Sequence, residues 1–135
     1  MATIGIDYGG KRIGVAVSDS GVLATPHSVI PNDADIIARL DHLGRELDVE
    51  AWVVGVARRA TSRDGEVKFQ RFADELRQRT CKPVVLWDET LSTVEAEERL
   101  RASGRKAARK SEDIDMYAAA IILQSWLDEQ SRRPS

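Results

Sequence analysis

The stretch Thr3-Ile4-Gly5-Ile6-Asp7-Tyr8-Gly9-Gly10-Lys11-Arg12-Ile13-Gly14-Val15-Ala16-Val17-Ser18 contains two apolar runs joined by a short glycine-rich turn. Thr3 to Asp7 and Ile13 to Ser18 read as strands, and Gly9 with Gly10 permits the backbone angles of a tight antiparallel connection. A carboxylate, Asp7, leaves the first strand straight into that turn. Rigid backbone holds it there, and the missing Cβ atoms let a phosphate approach closely. Lys11 and Arg12 stand in the same turn, beside Asp7 and within reach of such a phosphate.

Working outward, Val22 to Ile30 reads as a third strand, and Pro26 implies an edge position or a bulge near that residue. From Asp33 the pattern becomes helical, with Ile36, Ile37, Leu40, Leu43 and Leu47 on one apolar stripe and Asn32 or Asp33 as the cap. Ala51 to Val56 is a continuous apolar run, as expected of a central parallel strand covered on both faces after a crossover helix. Arg58 to Asp64 reads as a polar loop. Val67, Phe69, Phe72, Ala73 and Leu76 then mark a second helix ending near Arg79, and Pro83 to Trp87 a further buried strand that exits on Asp88-Glu89. The capping box Ser92-Thr93-Val94-Glu95 opens a third helix that ends near Ser103-Gly104. After a basic loop, a last helix runs from about Glu112 to Glu129. The order is three hairpin-linked strands, then helix, strand, helix, strand, helix, helix, an α/β arrangement with a mixed sheet.

A chain of 135 residues fits one domain, read as 1–131, with 132–135 a loose tail. Hydrophobic residues at 42% and charged residues at 31% exclude wholesale disorder. No apolar run approaches the ~20 residues of a bilayer span, and Asp7 comes too early for a signal-peptide core, so the expectation is a cytoplasmic protein without a membrane partner. Cys81 is the single cysteine, which rules out an internal disulfide and a cysteine-rich zinc site. His27 and His42 lack ligand spacing and read as structural. With a net charge of −2, binding to nucleic acid has to be local. The basic residues are indeed bunched, in Arg58, Arg59 and Arg63 and again in Arg99, Arg101, Arg105, Lys106, Arg109 and Lys110.

Two acids, Asp7 and Asp88, end strands, where residues of different strands become neighbours. A third, Asp115, opens the line Asp115-Ala119-Ile122-Trp126, spaced about one turn per step and directed at the sheet. A carboxylate on an inward stripe is costly unless it is paired or bound to metal. Three such acids suit Mg²⁺ or Mn²⁺, and two ions ~3.5–4 Å apart activate a water and stabilise the leaving oxygen in phosphodiester hydrolysis. Glu89 adjoins Asp88 and competes with it for the ligand role. Lys110, which precedes the last helix, joins Lys11 and Arg12 as a phosphate contact. Blander roles stand beside these: Asp88 as a turn or N-cap residue, Asp115 as a charge favouring the helix dipole.

Gly5-Ile6-Asp7-Tyr8-Gly9 with Lys11 to Asp19, Asp88-Glu89-Thr90-Leu91-Ser92-Thr93 with Glu95-Ala96, and Lys110 with Ile114-Asp115 and Ala118-Ala119 together resemble the YqgF/RuvX family over nearly the whole chain. The resemblance implies a ribonuclease H-like fold related to the RuvC resolvases, with a five-stranded sheet of order 3-2-1-4-5 and helices on both faces. It also implies a nuclease maturing the 5′ end of pre-16S ribosomal RNA, or a Holliday junction resolvase in recombination and repair. Asp7, Asp88 with Glu89, and Asp115 carry over as its acids. Two motifs depart from the family pattern. Gly55-Val56-Ala57 replaces Gly-Leu-Pro, although Asp64-Gly65 retains the family's Asp-Gly, and Asp88-Glu89-Thr90 replaces Asp-Glu-Arg. The second change removes a guanidinium for which Arg58 or Arg59 is the substitute. The partner is therefore pre-rRNA or branched DNA, and a homodimer would offer two active sites to two symmetric strands. Two other classes remain beside these: a non-catalytic RNA-binding factor, and an actin-like or sugar-kinase phosphate loop, which needs a second domain for which 135 residues leave no room.

Overall fold

A computed structural model describes residues 1–56, 63–88, 98, 101–102 and 111–132. Strands β1 (Ala2–Tyr8) and β2 (Arg12–Ser18) form the expected antiparallel pair, with Thr3 opposite Ser18 and Asp7 opposite Gly14. Strand β3 runs Thr25–Pro31 and does not start at Val22, because local hydroxyl bonds capture the preceding backbone. Ser20 Oγ accepts the N–H groups of Val22 and Leu23, each at 3.1 Å, and Ser18 Oγ accepts that of Gly21 at 3.1 Å. Gly21, at φ 76°, takes a left-handed turn that a side chain would resist. β3 is an edge strand, and its register shifts so that Val15 faces Ser28 while Ala16 faces Pro26. The sheet therefore contains both an edge and a bulge at Pro26.

Helix α1 spans Ile36–Leu47, with its apolar stripe on the core. Its N-cap is Asp35, not Asn32 or Asp33, and Asp35 caps without a side-chain hydrogen bond. Asp33 instead accepts the Asp35 N–H at 3.0 Å, closing a turn one step before the helix. β4 (Val49–Val56) and β5 (Val84–Asp88) pair parallel, and β4 lies parallel to β1, giving the sheet order β3-β2-β1-β4-β5. Helix α2 (Arg63–Thr80) begins inside the stretch read as a loop, so Asp64 and Gly65 lie in its first turn. Helix α3 (Ser111–Arg132) is longer than its apolar stripe suggested. The expected helix from Ser92 to Gly104 lies outside the described residues except for helical positions 98, 101 and 102.

The sheet separates two cores. On one face Ile4, Ile6, Ile13, Val15, Trp52 and Val54 pack on Ile36 and Leu40 of α1 and on Phe69, Phe72 and Leu76 of α2. Tyr8 lays its ring 4.8 Å from that of Phe72. Buried Asp41 of α1 binds Arg79 of α2 at 3.1 Å, tying the two helices together. On the other face Ala16 and Val53 meet Ala119, Ala120, Ile122, Leu123 and Leu127 of α3. Alternation along β4 thus fills both sides, as its unbroken apolar run requires. Gln124, fully buried in α3, accepts the Ala24 N–H and donates to the Val22 carbonyl, both at 2.9 Å. It thereby satisfies backbone groups that the β2–β3 connection would otherwise bury unpaired. Among the described residues, no helix is long and apolar enough to cross a membrane.

Candidate active site

Asp7 lies on the α3 face, two residues beyond Gly5, and its row across the sheet reads Gly14, Asp7, Gly55, Trp87 on β2, β1, β4 and β5. Both strands beside Asp7 therefore present a bare backbone at its level. Helix α3 fills that bareness. A Cβ built on Gly14 would overlap the Asp115 carbonyl oxygen; on Gly55 it would come within 2.5 Å of Ile122, and on Gly5 within 2.6 Å of Leu123 Cβ. These contacts seat the start of α3 on Gly14 of β2, the residue paired with Asp7, so Asp7 and Asp115 share one face of the sheet. The stripe of Asp115, Ala119 and Ile122 faces the sheet as its spacing implies.

The Asp115 side chain keeps 26% of its exposure and forms an ion pair with Arg12 Nε through Oδ2. That oxygen is buried and takes part in no hydrogen bond among the described residues, so the contact is electrostatic without good donor geometry. Arg12 reaches it because positions 12, 14 and 16 of β2 share the α3 face and Gly14 leaves the path clear. Lys11 projects from the same turn and is exposed.

Asn32, read from the sequence as a helix cap, holds this turn. Its side-chain amide donates to the Gly9 carbonyl at 2.7 Å, and its backbone N–H donates to the Lys11 carbonyl at 2.9 Å. The chain leaving β3 thus clamps the hairpin that carries Asp7, Lys11 and Arg12. Sequence reasoning also missed Gly14 and Gly55 as the floor under α3. Their signal was two glycines inside otherwise apolar strands, which mark a close approach of other atoms.

Asp88 ends β5, exposed and opposite Val56 of β4. Val85 and Trp87 belong to the α3 core, so alternation aims Asp88 toward the other face. Two strand spacings, about 10 Å, separate its strand from that of Asp7. Among the described residues, no three metal-ligating side chains converge. The structure therefore places Asp7 and Asp115 on one face, linked through Gly14, and sets Asp88 apart at the same end of the sheet. Glu89, Arg58, Arg59 and Lys110 lie outside the described residues.

A mixed sheet of order 3-2-1-4-5 with helices on both faces is the ribonuclease H-like fold. The chain matches the family described as "RuvX: Holliday junction resolvase" over residues 1–129, and it belongs to that family. A relative from Syntrophus aciditrophicus (strain SB), named "Putative pre-16S rRNA nuclease", is 41% identical over 145 residues, covering 100% of this chain and 95% of its own. A relative of the same name from Mycolicibacterium paratuberculosis (strain ATCC BAA-968 / K-10) is 43% identical over 133 residues, covering 94% of this chain and 80% of its own. Among solved structures, T. thermophilus RuvC in complex with a Holliday junction substrate superposes with a TM-score of 0.67 at 18% identity, covering 100% of this chain and 99% of that one. That likeness is one of fold. By family, the chain is a nuclease, a hydrolase of phosphodiester bonds.

Proposed function

We propose that the chain is a metal-dependent nuclease of the cytoplasm that matures the 5′ end of pre-16S ribosomal RNA. The observation that supports the metal-binding part is that Asp7 and Asp115 share one face of the sheet, the Asp115 backbone lying against Gly14, the residue paired with Asp7. The donor set fits Mg²⁺ or Mn²⁺: carboxylate oxygens are the hard ligands these ions take, and Asp115 Oδ2 is a buried oxygen without a hydrogen-bond partner among the described residues. Asp7 and Asp115 hold the ion; of the pair Asp88 and Glu89, Asp88 faces the other side of the sheet, which leaves Glu89 as the third acid of the set. When bound, the cation neutralises phosphate charge and lowers the pKa of the attacking water. The protein's own work is positional. β1 and α3 fix the two acids, and the glycine turn admits the phosphate. Lys11 and Arg12 from that turn, Lys110 before α3, and Arg58 or Arg59 after β4 meet the flanking backbone. The choice of pre-rRNA rests on the names of the relatives.

A second reading, a resolvase cutting four-way DNA junctions as a homodimer, is favoured by the description of the family itself. Both readings use the same acids, and one experiment separates them. The purified protein and its Asp7→Asn and Asp115→Asn variants are incubated with Mg²⁺ or Mn²⁺ against a pre-16S RNA fragment, a four-way DNA junction and single strands. The expected result is RNA cleavage that chelation abolishes and that each variant lowers by about a hundredfold or more. Paired symmetric cuts in the junction with RNA untouched would establish the resolvase instead. Absence of cation-dependent cleavage on every substrate would refute the nuclease mechanism.

A further inference from the structure

Arg12 stands in the turn as a phosphate contact, yet its guanidinium is spent on Asp115. The pair has features of a removable contact. Its contact runs from Nε to Oδ2, an oxygen that forms no hydrogen bond among the described residues, so it lacks the well-aligned bonds that make arginine–carboxylate pairs strong. The Arg12 side chain remains 46% exposed, and only Gly9, Gly10 and Lys11 separate it from the end of β1. Asp115, in contrast, is held on an inward helical stripe by the backbone contact of its carbonyl with Gly14. One partner is half-exposed on a turn, the other more buried on a helix packed against the sheet.

Such a carboxylate cannot stay uncompensated at low cost. We propose that Arg12 is the internal counter-ion of Asp115 and competes with the divalent cation for Oδ2, so that cation binding displaces the guanidinium from the acid. This rests on the reading of Asp7 and Asp115 as cation ligands. It adds a residue that opposes cation binding, where the motif alone suggested a residue serving only the nucleic acid. Arg12 then tunes cation affinity downward, and its release returns a free guanidinium to the turn in which nucleic acid is bound.

The sign of the effect makes the proposal testable, because damage to the site weakens cation binding whereas loss of a competitor strengthens it. Metal-free protein is titrated with Mn²⁺ alone by calorimetry, at low salt and at about 0.5 M salt, where interactions between separated surface charges are screened. Arg12→Ala and Arg12→Gln are each expected to bind Mn²⁺ about two- to fivefold more tightly than the native chain, the range a half-exposed ion pair can supply. Lys11→Ala removes the same charge from the same turn but not the pair, and its smaller gain should vanish at high salt while that of the Arg12 variants persists. Thermal denaturation confirms that each variant is folded, and the glutamine variant carries the test should the alanine variant not fold. Arg12 variants that bind Mn²⁺ no more tightly than the native chain, or no more tightly than Lys11→Ala at high salt, would overturn the competition while leaving the cation site intact. A native chain that binds no Mn²⁺, or binds it equally after Asp115→Asn, would overturn the cation reading and the competition together.

Discussion

Substitution of Gly14 by alanine tests whether the seating of α3 on bare backbone builds the site. The added methyl would fall on the Asp115 carbonyl oxygen, a backbone atom that cannot rotate aside as a side chain does. Overpacking of this kind costs about 1–3 kcal/mol, and overlap with backbone belongs at the upper end. Against this, alanine loses less conformational freedom on folding than glycine, a gain of roughly 0.5–1 kcal/mol. The net loss is therefore about 2 kcal/mol. An unfolding entropy of about 2.1 cal/mol/K per residue converts this over 135 residues into a fall in Tm of roughly 7 °C. The same displacement carries Asp115 away from Asp7, so cation-dependent cleavage should fall by an order of magnitude or more at a temperature where the variant is fully folded. Gly55→Ala is the internal comparison. Its methyl would press on both branches of buried Ile122, a residue stiff at χ1, so it too should cost about 1–3 kcal/mol, but the backbone of Asp115 is not among its nearest contacts and cleavage by the folded variant should change little. Calorimetric or denaturant unfolding and a cleavage assay on both variants decide the matter. A Gly14→Ala protein as stable and as active as the native chain would refute the reasoning.

Other consequences are open to direct measurement. Asn32→Ala removes the 2.7 Å bond to the Gly9 carbonyl and should cost about 1 kcal/mol in chemical denaturation; it should also weaken nucleic-acid affinity several-fold, because the turn carrying Lys11 loosens. Unchanged affinity would reduce Asn32 to a loop staple. Gln124→Leu keeps the volume of a buried side chain but strands the Ala24 N–H and the Val22 carbonyl, for an expected loss of about 2–3 kcal/mol. Stability equal to the native chain would show that water satisfies both groups. Arg79→Ala leaves buried Asp41, among the described residues, with Arg45 at 3.4 Å, and the helix pair should lose about 1 kcal/mol, seen as a lower denaturation midpoint with the cation site unaffected. Weakened Mn²⁺ binding in that variant would contradict the separation of the two faces.

Local pattern foretold the elements whose causes are local. The hairpin from Thr3 to Ser18, the stripe on α1 and the doubly covered run of β4 were all readable because periodicity and glycine placement act within a few residues. What escaped depends on residues far apart in the chain. Asn32 has the composition of a cap, yet a hydrogen bond to a residue 23 positions earlier outweighs that preference. Gln124 interrupts an apolar stripe without any visible reason until the β2–β3 connection is placed against it. Asp7 and Asp115 were legible as candidates, but the side of the sheet Asp88 faces depends on the register of β5, and one residue reverses it. The pairing of Arg12 with Asp115 depends on a missing side chain at Gly14, which no periodicity reports.

The contact between Gly14 and Asp115 joins an element made early in synthesis to one made much later. On the ribosome, β1 and β2 emerge with Asp7 and the basic turn, but the face of the sheet they share stays uncovered until Ser111–Arg132 has followed. A chain stopped before Ser111 lacks Asp115 and leaves Gly14 of β2 bare. The face that bears Asp7 is thus completed by residues roughly a hundred positions apart in the chain, a separation that makes its closure a late event in folding.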